Sequence, residues 1–276
     1  MKLYFDIGAS NTRIGISGDD SDGFRETRIF PTETNFEDQL KALLSATQEI
    51  RGNDPFSAAA GGVAGPLNRD KSGILSSYLE DWINRPIRQE LQKALDCPVI
   101  LENDAALAGL GEAALGAGKG YPIVAYFTFS TGVGGARIVD GKIDRNAHGF
   151  EPRWQPAGLD SSNNPVFLDD LVSGHALTKR FAAKPEEIKD PARWEEVEKL
   201  ITICLLNGIG FWSPDIIVIG GSIGESHSVQ IGNLKHNIAQ AMDYPVDIPI
   251  VKASLGQLNG LYGAKTYLKQ LEEQAK

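Results

Sequence analysis

Only two cysteines occur in the 276 residues, Cys97 and Cys204, and both stand among apolar neighbours. This excludes the disulfide framework of a small secreted domain, and we interpret both as reduced core residues of a cytoplasmic protein. Basic residues are also scarce, since 27 Lys and Arg against 36 Asp and Glu give a formal net charge of -9. Without a basic run, neither nucleic acid nor an anionic membrane is an expected partner.

Long apolar runs are absent as well. None approaches the roughly 20 residues that span a bilayer. The opening residues Met1-Lys-Leu-Tyr-Phe-Asp6 predict a strand rather than the apolar segment of a signal peptide. We therefore expect a soluble chain, and its length suits two domains of ordinary size.

The most informative stretch that is present runs from Pro98 to Ala113. A short apolar run predicts a buried strand, and the alanine-rich run after it predicts a helix. Asn103 and Asp104 stand between them, with no room for a long loop. Ligands of open α/β sheets bind at such strand ends, so both side chains are candidates for a binding or catalytic site. Both residue types are also preferred helix caps, which leaves capping as the alternative.

A strand, a polar glycine turn and a returning strand occur twice. The first unit has strands over 2–7 and 13–17, with Asp6 at the mouth of the turn, and the second has strands over 122–129 and 136–139. The turns contain Gly8, Ala9, Ser10, Asn11 and Thr12 in the first and Ser130, Thr131, Gly132 and Gly135 in the second. Such turns offer N–H groups and hydroxyls to phosphate, although each alone is compatible with an ordinary hairpin. The repetition predicts two related domains that face each other across a cleft.

The remaining patterns are less specific. Amphipathic periodicity predicts helices over 35–50, 86–95 and 258–274. We also expect a helix over 167–181 and mostly helix over 185–211, and residues 145–164 read as irregular. Gly220 and Gly221 end an apolar strand that begins at Asp215. Their N–H groups suit either a nucleotide or a plain strand-to-helix turn.

In this order the motifs resemble those of the ROK family of sugar kinases and regulators, within the actin/hexokinase-like superfamily. The similar stretches are Phe5–Arg13 (first phosphate motif), Gly61–Pro66 (sugar-side loop), Leu101–Ala105 with Gly111 and Glu112 (catalytic motif), Ser130–Gly135 (second phosphate motif) and Ser213–Gly221 (adenosine strand and loop). Ala9 and Ser130 stand where the family usually has glycine.

The resemblance implies an α/β fold of two actin/hexokinase-like (ribonuclease H-like) domains across an interdomain cleft. We expect the first domain at 1–115, with a C-terminal helix over 258–276 packing back on it, and the second at 116–257. It further implies a cytoplasmic, homodimeric enzyme that uses ATP and Mg²⁺. Its reaction would be phosphorylation of a hexose or N-acetylhexosamine hydroxyl, the 6-hydroxyl in the first instance.

The resemblance also implies roles for particular residues. Asp104 would be the general base, and Asp6 would position Mg²⁺ directly or through water. The residues expected to contact the sugar are Gly65, Asn103, Asp104, Glu151, Trp154 and Asp169. Those expected to contact the nucleotide are Gly8, Ala9, Ser10, Asn11, Thr12, Thr131, Gly132, Gly220 and Gly221.

The family's zinc motif is missing. Trp154 stands where the family has a zinc-binding histidine, and the run 160–169 contains none of its three cysteines. All four ligands are lost together, so we expect no zinc. Asp169 stands where the family has a sugar-binding glutamate. Trp154 and the nearby His148 are both candidates to replace the missing histidine, and the sequence leaves the choice open.

A non-catalytic sugar sensor or regulator of the same family is the alternative function. Repressors of the family carry an added helix-turn-helix, which we do not expect here because Asp6 follows Met1 so closely. The retained Asn103–Asp104 pair favours the kinase. The sequence decides neither the sugar nor whether ATP or polyphosphate is the phosphoryl donor.

Overall fold

The computed structural model describes residues 1–18, 21, 23–52, 54–245 and 247–276. The strands along these residues are β1 (Lys2–Ile7), β2 (Asn11–Ser17), β3 (Glu26–Pro31), β4 (Ala58–Val63), β5 (Val99–Asn103), β6 (Ile123–Phe129), β7 (Val133–Val139), β8 (Lys142–Ile143), β9 (Pro156–Leu159), β10 (Pro165–Phe167), β11 (Ile216–Gly220) and β12 (Ile250–Lys252). The α-helices are α1 (Phe36–Arg51), α2 (Ile87–Leu95), α3 (Asp104–Leu115), α4 (Asp169–Val172), α5 (Gly174–Phe181), α6 (Pro191–Trp212), α7 (Gly221–Gly224), α8 (Ile231–Ala241) and α9 (Asn259–Gln274).

One compact unit, here unit 1, comprises Met1–Gly111, Arg145–Gly149 and Gly256–Lys276. Its sheet has the order β3-β2-β1-β4-β5. Strands β1 and β2 pair antiparallel, whereas β1, β4 and β5 run parallel. The carboxyl ends of these three strands therefore share one edge of the sheet. That edge is where the candidate residues of this unit belong.

The core of unit 1 forms because its helices bury one apolar face on the sheet. Helix α1 begins after Asn35, whose side chain accepts a hydrogen bond from the Asp38 N–H group at 3.1 Å. Its buried residues include Phe36 and Leu43, and α2 contributes Leu91 to the same cluster. The predicted helices over 35–50 and 86–95 are confirmed.

The other compact unit, unit 2, comprises Glu112–Asp144 and Phe150–Leu255. Its sheet has the order β12-β11-β6-β7-β8. Strands β6 and β7 form an antiparallel hairpin, and β11 runs parallel to β6 on the other side. This repeats the arrangement of β2, β1 and β4 in unit 1. The duplicated strand–turn–strand pattern predicted from sequence is confirmed.

Two predicted segments of unit 2 differ from the structure. Within the stretch expected to be irregular, β9 forms and pairs antiparallel with β10. The single helix expected over 167–181 is divided into α4 and α5 at Ser173. Ser173 has extended backbone angles, and its hydroxyl accepts from the Ala176 N–H group at 3.1 Å, so it caps a new helix. Helical periodicity continues across such a cap, and for that reason it does not reveal the break.

No helix along the described residues is both long and apolar enough to cross a bilayer.

Candidate active site

Asn103 and Asp104 lie where β5 gives way directly to α3. The Asn103 Oδ1 atom accepts from the Ala106 N–H group at 2.9 Å, and its Nδ2 donates to the Gly65 carbonyl at 3.0 Å. Asp104 Oδ1 accepts from the Ala105 N–H group at 2.9 Å. Both side chains thus satisfy the first turn of the helix, as capping requires. That bond uses one of the two carboxylate oxygens of Asp104.

Asp6 is the second-last residue of β1, near the same edge of the sheet, and is only 8% exposed. Its Oδ2 atom lies 3.3 Å from Nη1 of Arg13, the residue that faces it in the β1–β2 register. Helix α9 also packs closely against Asp6. A Cβ on Gly260 would lie 2.8 Å from the Asp6 Cγ atom. Only a residue without a side chain leaves this carboxylate in place.

The pKa values of the two carboxyls are both displaced upward. Burial raises the pKa of Asp6 to about 6, although the charge of Arg13 opposes this. Burial, and next the negative charge of Asp6, raise the pKa of Asp104 to about 7, against hydrogen bonds from backbone N–H groups. Two carboxylates in one desolvated site repel each other, so a proton or a cation is favoured there. The site is electrostatically suited to accept a proton or to bind a divalent metal.

Close packing between β4 and α3 fixes the Asp104 backbone. A Cβ on Gly62 would lie 2.8 Å from the Asp104 Cα atom. Glycine at position 62 is therefore required for the position of the Asp104 backbone.

The first glycine turn is closed by backbone bonds. The Gly8 N–H group donates to the Asn11 carbonyl at 3.1 Å, and the Gly8 carbonyl accepts from the Thr32 hydroxyl at 2.8 Å. Ser10 and Asn11 are exposed, while Gly8 and Ala9 are partly exposed. Exposed backbone at a tight turn suits phosphate binding.

Thr12 differs from its predicted neighbours. It is fully buried, and its hydroxyl lies 2.9 Å from the Thr32 hydroxyl and accepts from Gln39 Nε2 at 2.7 Å. In this conformation the Thr12 hydroxyl bonds to buried protein groups and stabilises the turn.

The second glycine turn, in unit 2, is held by the α4–α5 junction. The Ser130 carbonyl accepts from the Gly174 N–H group at 2.7 Å, and the Thr131 carbonyl accepts from the His175 N–H group at 3.3 Å. Asp169 Oδ1 accepts from the Val133 N–H group at 2.9 Å. Thr131 and Gly132 are partly exposed between these anchored positions.

Asp169 is engaged with protein groups through both carboxylate oxygens. Its Oδ2 atom lies 3.4 Å from Arg153 Nη2, and the residue is 8% exposed. The carboxylate thus links the turn before β7 to the 3₁₀-helix Pro152–Trp154. A sugar hydroxyl at Asp169 would have to add to these contacts or replace one of them.

Trp154 and Glu151 belong to this same short segment. The indole of Trp154 is 49% exposed and packs edge-on against Phe167, with ring centroids 5.2 Å apart. The Arg153 guanidinium lies 5.0 Å above its ring. Glu151 precedes the 3₁₀-helix and is partly exposed. His148 is exposed in Arg145–Gly149, a segment of unit 1, so the two candidate substitutes for the family histidine lie in different units.

Gly220 and Gly221 form the predicted junction between β11 and α7. The Gly221 N–H group donates to Glu225 Oε1 at 3.0 Å. This carboxylate, which sequence reasoning did not identify, already occupies one of the N–H groups assigned to the nucleotide.

Sequence reasoning also missed Arg13 and Arg153. A signal existed for Arg13, because a four-residue turn after Ile7 pairs Asp6 with Arg13. None existed for the Arg153–Asp169 pair, whose partners come from separate elements. Across the described ranges, no three His, Cys, Asp or Glu side chains cluster closely enough to hold a metal by themselves. The absence of zinc stays a prediction.

Comparisons with known proteins give a consistent result. A family profile described as "ROK family" matches residues 3–271. A glucokinase of Streptomyces coelicolor is 33% identical over 196 residues, which are 67% of this chain and 62% of that enzyme, so the match spans about six tenths of its length. A fructokinase of Zymomonas mobilis is 29% identical over 95% of both chains. The crystal structure of a ROK hexokinase from Thermus thermophilus superposes with a TM-score of 0.77 at 26% identity, over 98% of this chain and 99% of that one.

Proposed function

The chain belongs to the ROK family and has its two-domain actin/hexokinase-like fold, and we propose from this premise that it is an ATP-dependent sugar kinase. The acceptor we propose is a hydroxyl of a hexose or N-acetylhexosamine, in the first instance the 6-hydroxyl. The relatives named glucokinase and fructokinase support a sugar acceptor.

The observation that carries the proposal is the pair formed by Asp104 and Asp6 at one sheet edge. Phosphoryl transfer needs an aligned nucleophile, a base for its proton and neutralisation of the transferred charge. A carboxylate whose pKa is raised to about 7 is well matched to accept a hydroxyl proton near neutral pH. We assign this role of general base to Asp104.

Further residues are proposed to orient the sugar. Asn103 would hold a neighbouring hydroxyl with the amide hydrogen not used by the Gly65 carbonyl. Glu151, Trp154 and Asp169 would complete the set, with the indole of Trp154 stacking on the apolar face of the ring.

Phosphate binding is assigned to both glycine turns. The N–H groups of Ala9, Ser10 and Asn11, together with Thr131 and Gly132, would donate to phosphate oxygens, while Gly8, whose own N–H group bonds to the Asn11 carbonyl, would let the phosphate approach the turn. Gly220 and Gly221 would meet the adenosine. Mg²⁺, when bound, would neutralise phosphate charge. Asp6 would hold it, directly or through water: burial raises the pKa of this carboxyl to about 6 even with Arg13 at 3.3 Å, so a divalent cation would further stabilise its ionised form.

A homodimeric, cytoplasmic enzyme without zinc completes the proposal. Domains at 1–115 with 258–276, and at 116–257, remain the proposed limits. A non-catalytic sugar sensor is the competing function, and turnover separates the two.

The deciding experiment measures ATP consumption by purified protein with Mg²⁺ against a panel of aldohexoses, fructose and N-acetylhexosamines. Polyphosphate serves as the second donor. We expect one sugar to raise turnover well above the sugar-free background and to yield a sugar 6-phosphate by mass spectrometry and NMR. Sugar binding by calorimetry without any turnover would instead support the sensor.

A further inference from the structure

An ion pair next to the candidate site connects three segments of unit 1. The Lys71 ammonium contacts the Glu102 carboxylate and donates to the Tyr267 hydroxyl at 3.0 Å. Lys71 belongs to the segment after β4, Glu102 lies in β5, and Tyr267 lies in α9. The Lys71 ammonium also lies 5.3 Å from the centroid of the Tyr267 ring. The proposed reaction gives this cluster no role.

Glu102 connects the ion pair to the proposed catalytic residues. Its Oε1 atom accepts from the Asn103 N–H group at 3.0 Å, one residue before Asp104. The Glu102 side chain is 8% exposed and that of Lys71 40%. A buried carboxylate without a cation is strongly unfavourable, so the position of Glu102 depends on Lys71. Burial works against the charge of Lys71, yet the Glu102 carboxylate raises the Lys71 pKa overall, which keeps the ammonium charged.

The segment that carries Lys71 also carries Gly65. The Gly65 carbonyl accepts from Asn103 Nδ2 at 3.0 Å, so the segment is attached to the end of β5 at two points. Lys71 itself adopts left-handed backbone angles, with φ 53°. Its backbone N–H group donates to the Asn68 carbonyl at 2.9 Å and so closes a turn. The Asn68 side chain in turn accepts from the Ser72 N–H group at 2.8 Å. A rigid turn thus presents the ammonium to Glu102.

We propose that Lys71 is a positioning residue for the sugar side of the site. It fixes residues 64–71 on β5 through Glu102, and thereby sets where the Gly65 carbonyl and the Asn103 amide stand, without contacting substrate. The inference rests on the proposed function, because only a sugar acceptor gives these two groups a ligand.

The kinetic test compares Lys71→Met with Lys71→Arg and with Lys41→Met. Lys71→Met keeps the aliphatic stem and removes the charge, whereas arginine retains a cation. We expect Lys71→Met to raise the sugar KM about tenfold, at the low end of the range found when groups that orient metal ligands are removed, and to leave the MgATP KM within about twofold. Lys71→Arg should recover most of the sugar KM. Lys41 forms an exposed pair with Asp38 at 3.0 Å on α1 of the same unit, so Lys41→Met is the matched control and should change neither KM.

A double variant and an exchange measurement separate positioning from simple stability. Lys71→Met leaves the buried Glu102 carboxylate without its cation. Adding Glu102→Gln removes that unpaired charge, so the double variant should not raise the sugar KM further. Hydrogen-exchange mass spectrometry should show faster exchange over residues 64–79 in Lys71→Met and not in Lys41→Met.

A lowered melting temperature of Lys71→Met with unchanged sugar KM would overturn the proposal, as would equal changes in both KM values. The exchange measurement needs no activity and therefore distinguishes the two failures. If the wild-type protein phosphorylates no sugar, the proposed function fails, while faster exchange would still support the attachment by Lys71. Unchanged exchange over 64–79 would overturn the attachment itself.

Discussion

Replacing Asp104 by asparagine should inactivate the protein and stabilise it at the same time. The change is nearly isosteric, and the amide oxygen can still accept from the Ala105 N–H group, which lies 2.9 Å from Oδ1 of the aspartate. What disappears is the proton acceptor and the negative charge that repels Asp6. We expect kcat to fall by roughly 10²- to 10⁴-fold, the usual range for loss of a general base.

The stabilisation follows from the pKa of Asp104, which is raised from 3.8 to about 7 in the folded protein. Protonation therefore favours folding, and this contribution is complete below pH about 4 and is lost as the pH rises through about 7. One pKa unit corresponds to about 1.4 kcal/mol, which gives an upper limit of about 4 kcal/mol for the cost of the ionised carboxylate. Residual solvent contact and relaxation reduce this, and we expect about 2 kcal/mol in favour of Asp104→Asn at pH 8.

The assay is denaturant and thermal unfolding at pH 8 and pH 5 in EDTA, because a divalent cation would neutralise the same charge. At pH 8 the melting temperature of Asp104→Asn should exceed that of wild type by about 4 to 8 °C for a chain of this size. At pH 5 the gain should fall below half, since the wild-type carboxyl is then protonated in the folded protein.

Asp160→Asn serves as the control of opposite sign. Hydrogen bonds from Asn164, backbone first, lower the pKa of this exposed carboxylate. The stability that Asp160 contributes is present above its unfolded pKa and is lost as the pH falls, so its replacement should not stabilise the protein at pH 8. Asp104→Asn that is no more stable than wild type at pH 8 would refute the electrostatic argument. Near-normal turnover in that folded variant would leave Asp104 only its capping role.

Three further outcomes are expected. Thr131→Val removes a hydroxyl at similar volume and should weaken the use of MgATP, seen as a raised KM, more than it weakens folding. Unchanged nucleotide kinetics together with a collapsed melting temperature would show that the hydroxyl is structural. Trp154→Ala should raise the sugar KM clearly more than the MgATP KM, because the half-exposed indole would stack on the sugar ring, and an equal effect on both would contradict that contact. Elemental analysis should find no stoichiometric zinc, and activity should survive chelation followed by Mg²⁺; tightly bound zinc needed for activity would disprove this.

Local patterns in the sequence predicted much of the fold. Short apolar runs identified β1 and β5, which are buried on both faces, and the helical spacing of apolar residues identified α1, α2 and α9, each of which buries one face. The pattern failed for β3, none of whose residues is buried, and for β12, which has only three residues. Neither strand carries enough buried residues to show a period.

The sequence alone also indicated that Asp104 and Asn103 follow a buried strand, because adjacent residues fix that junction. Only the tertiary structure decided which distant groups meet them there. Asp6 and Asp104 share a desolvated sheet edge, Asp169 pairs with Arg153 at 3.4 Å, and Lys71 pairs with Glu102, 31 residues further along the chain. Such pairs leave no periodic trace, since each depends on how separate elements pack. Chain neighbours are set by covalent geometry, whereas the charges that tune a carboxylate are set by packing.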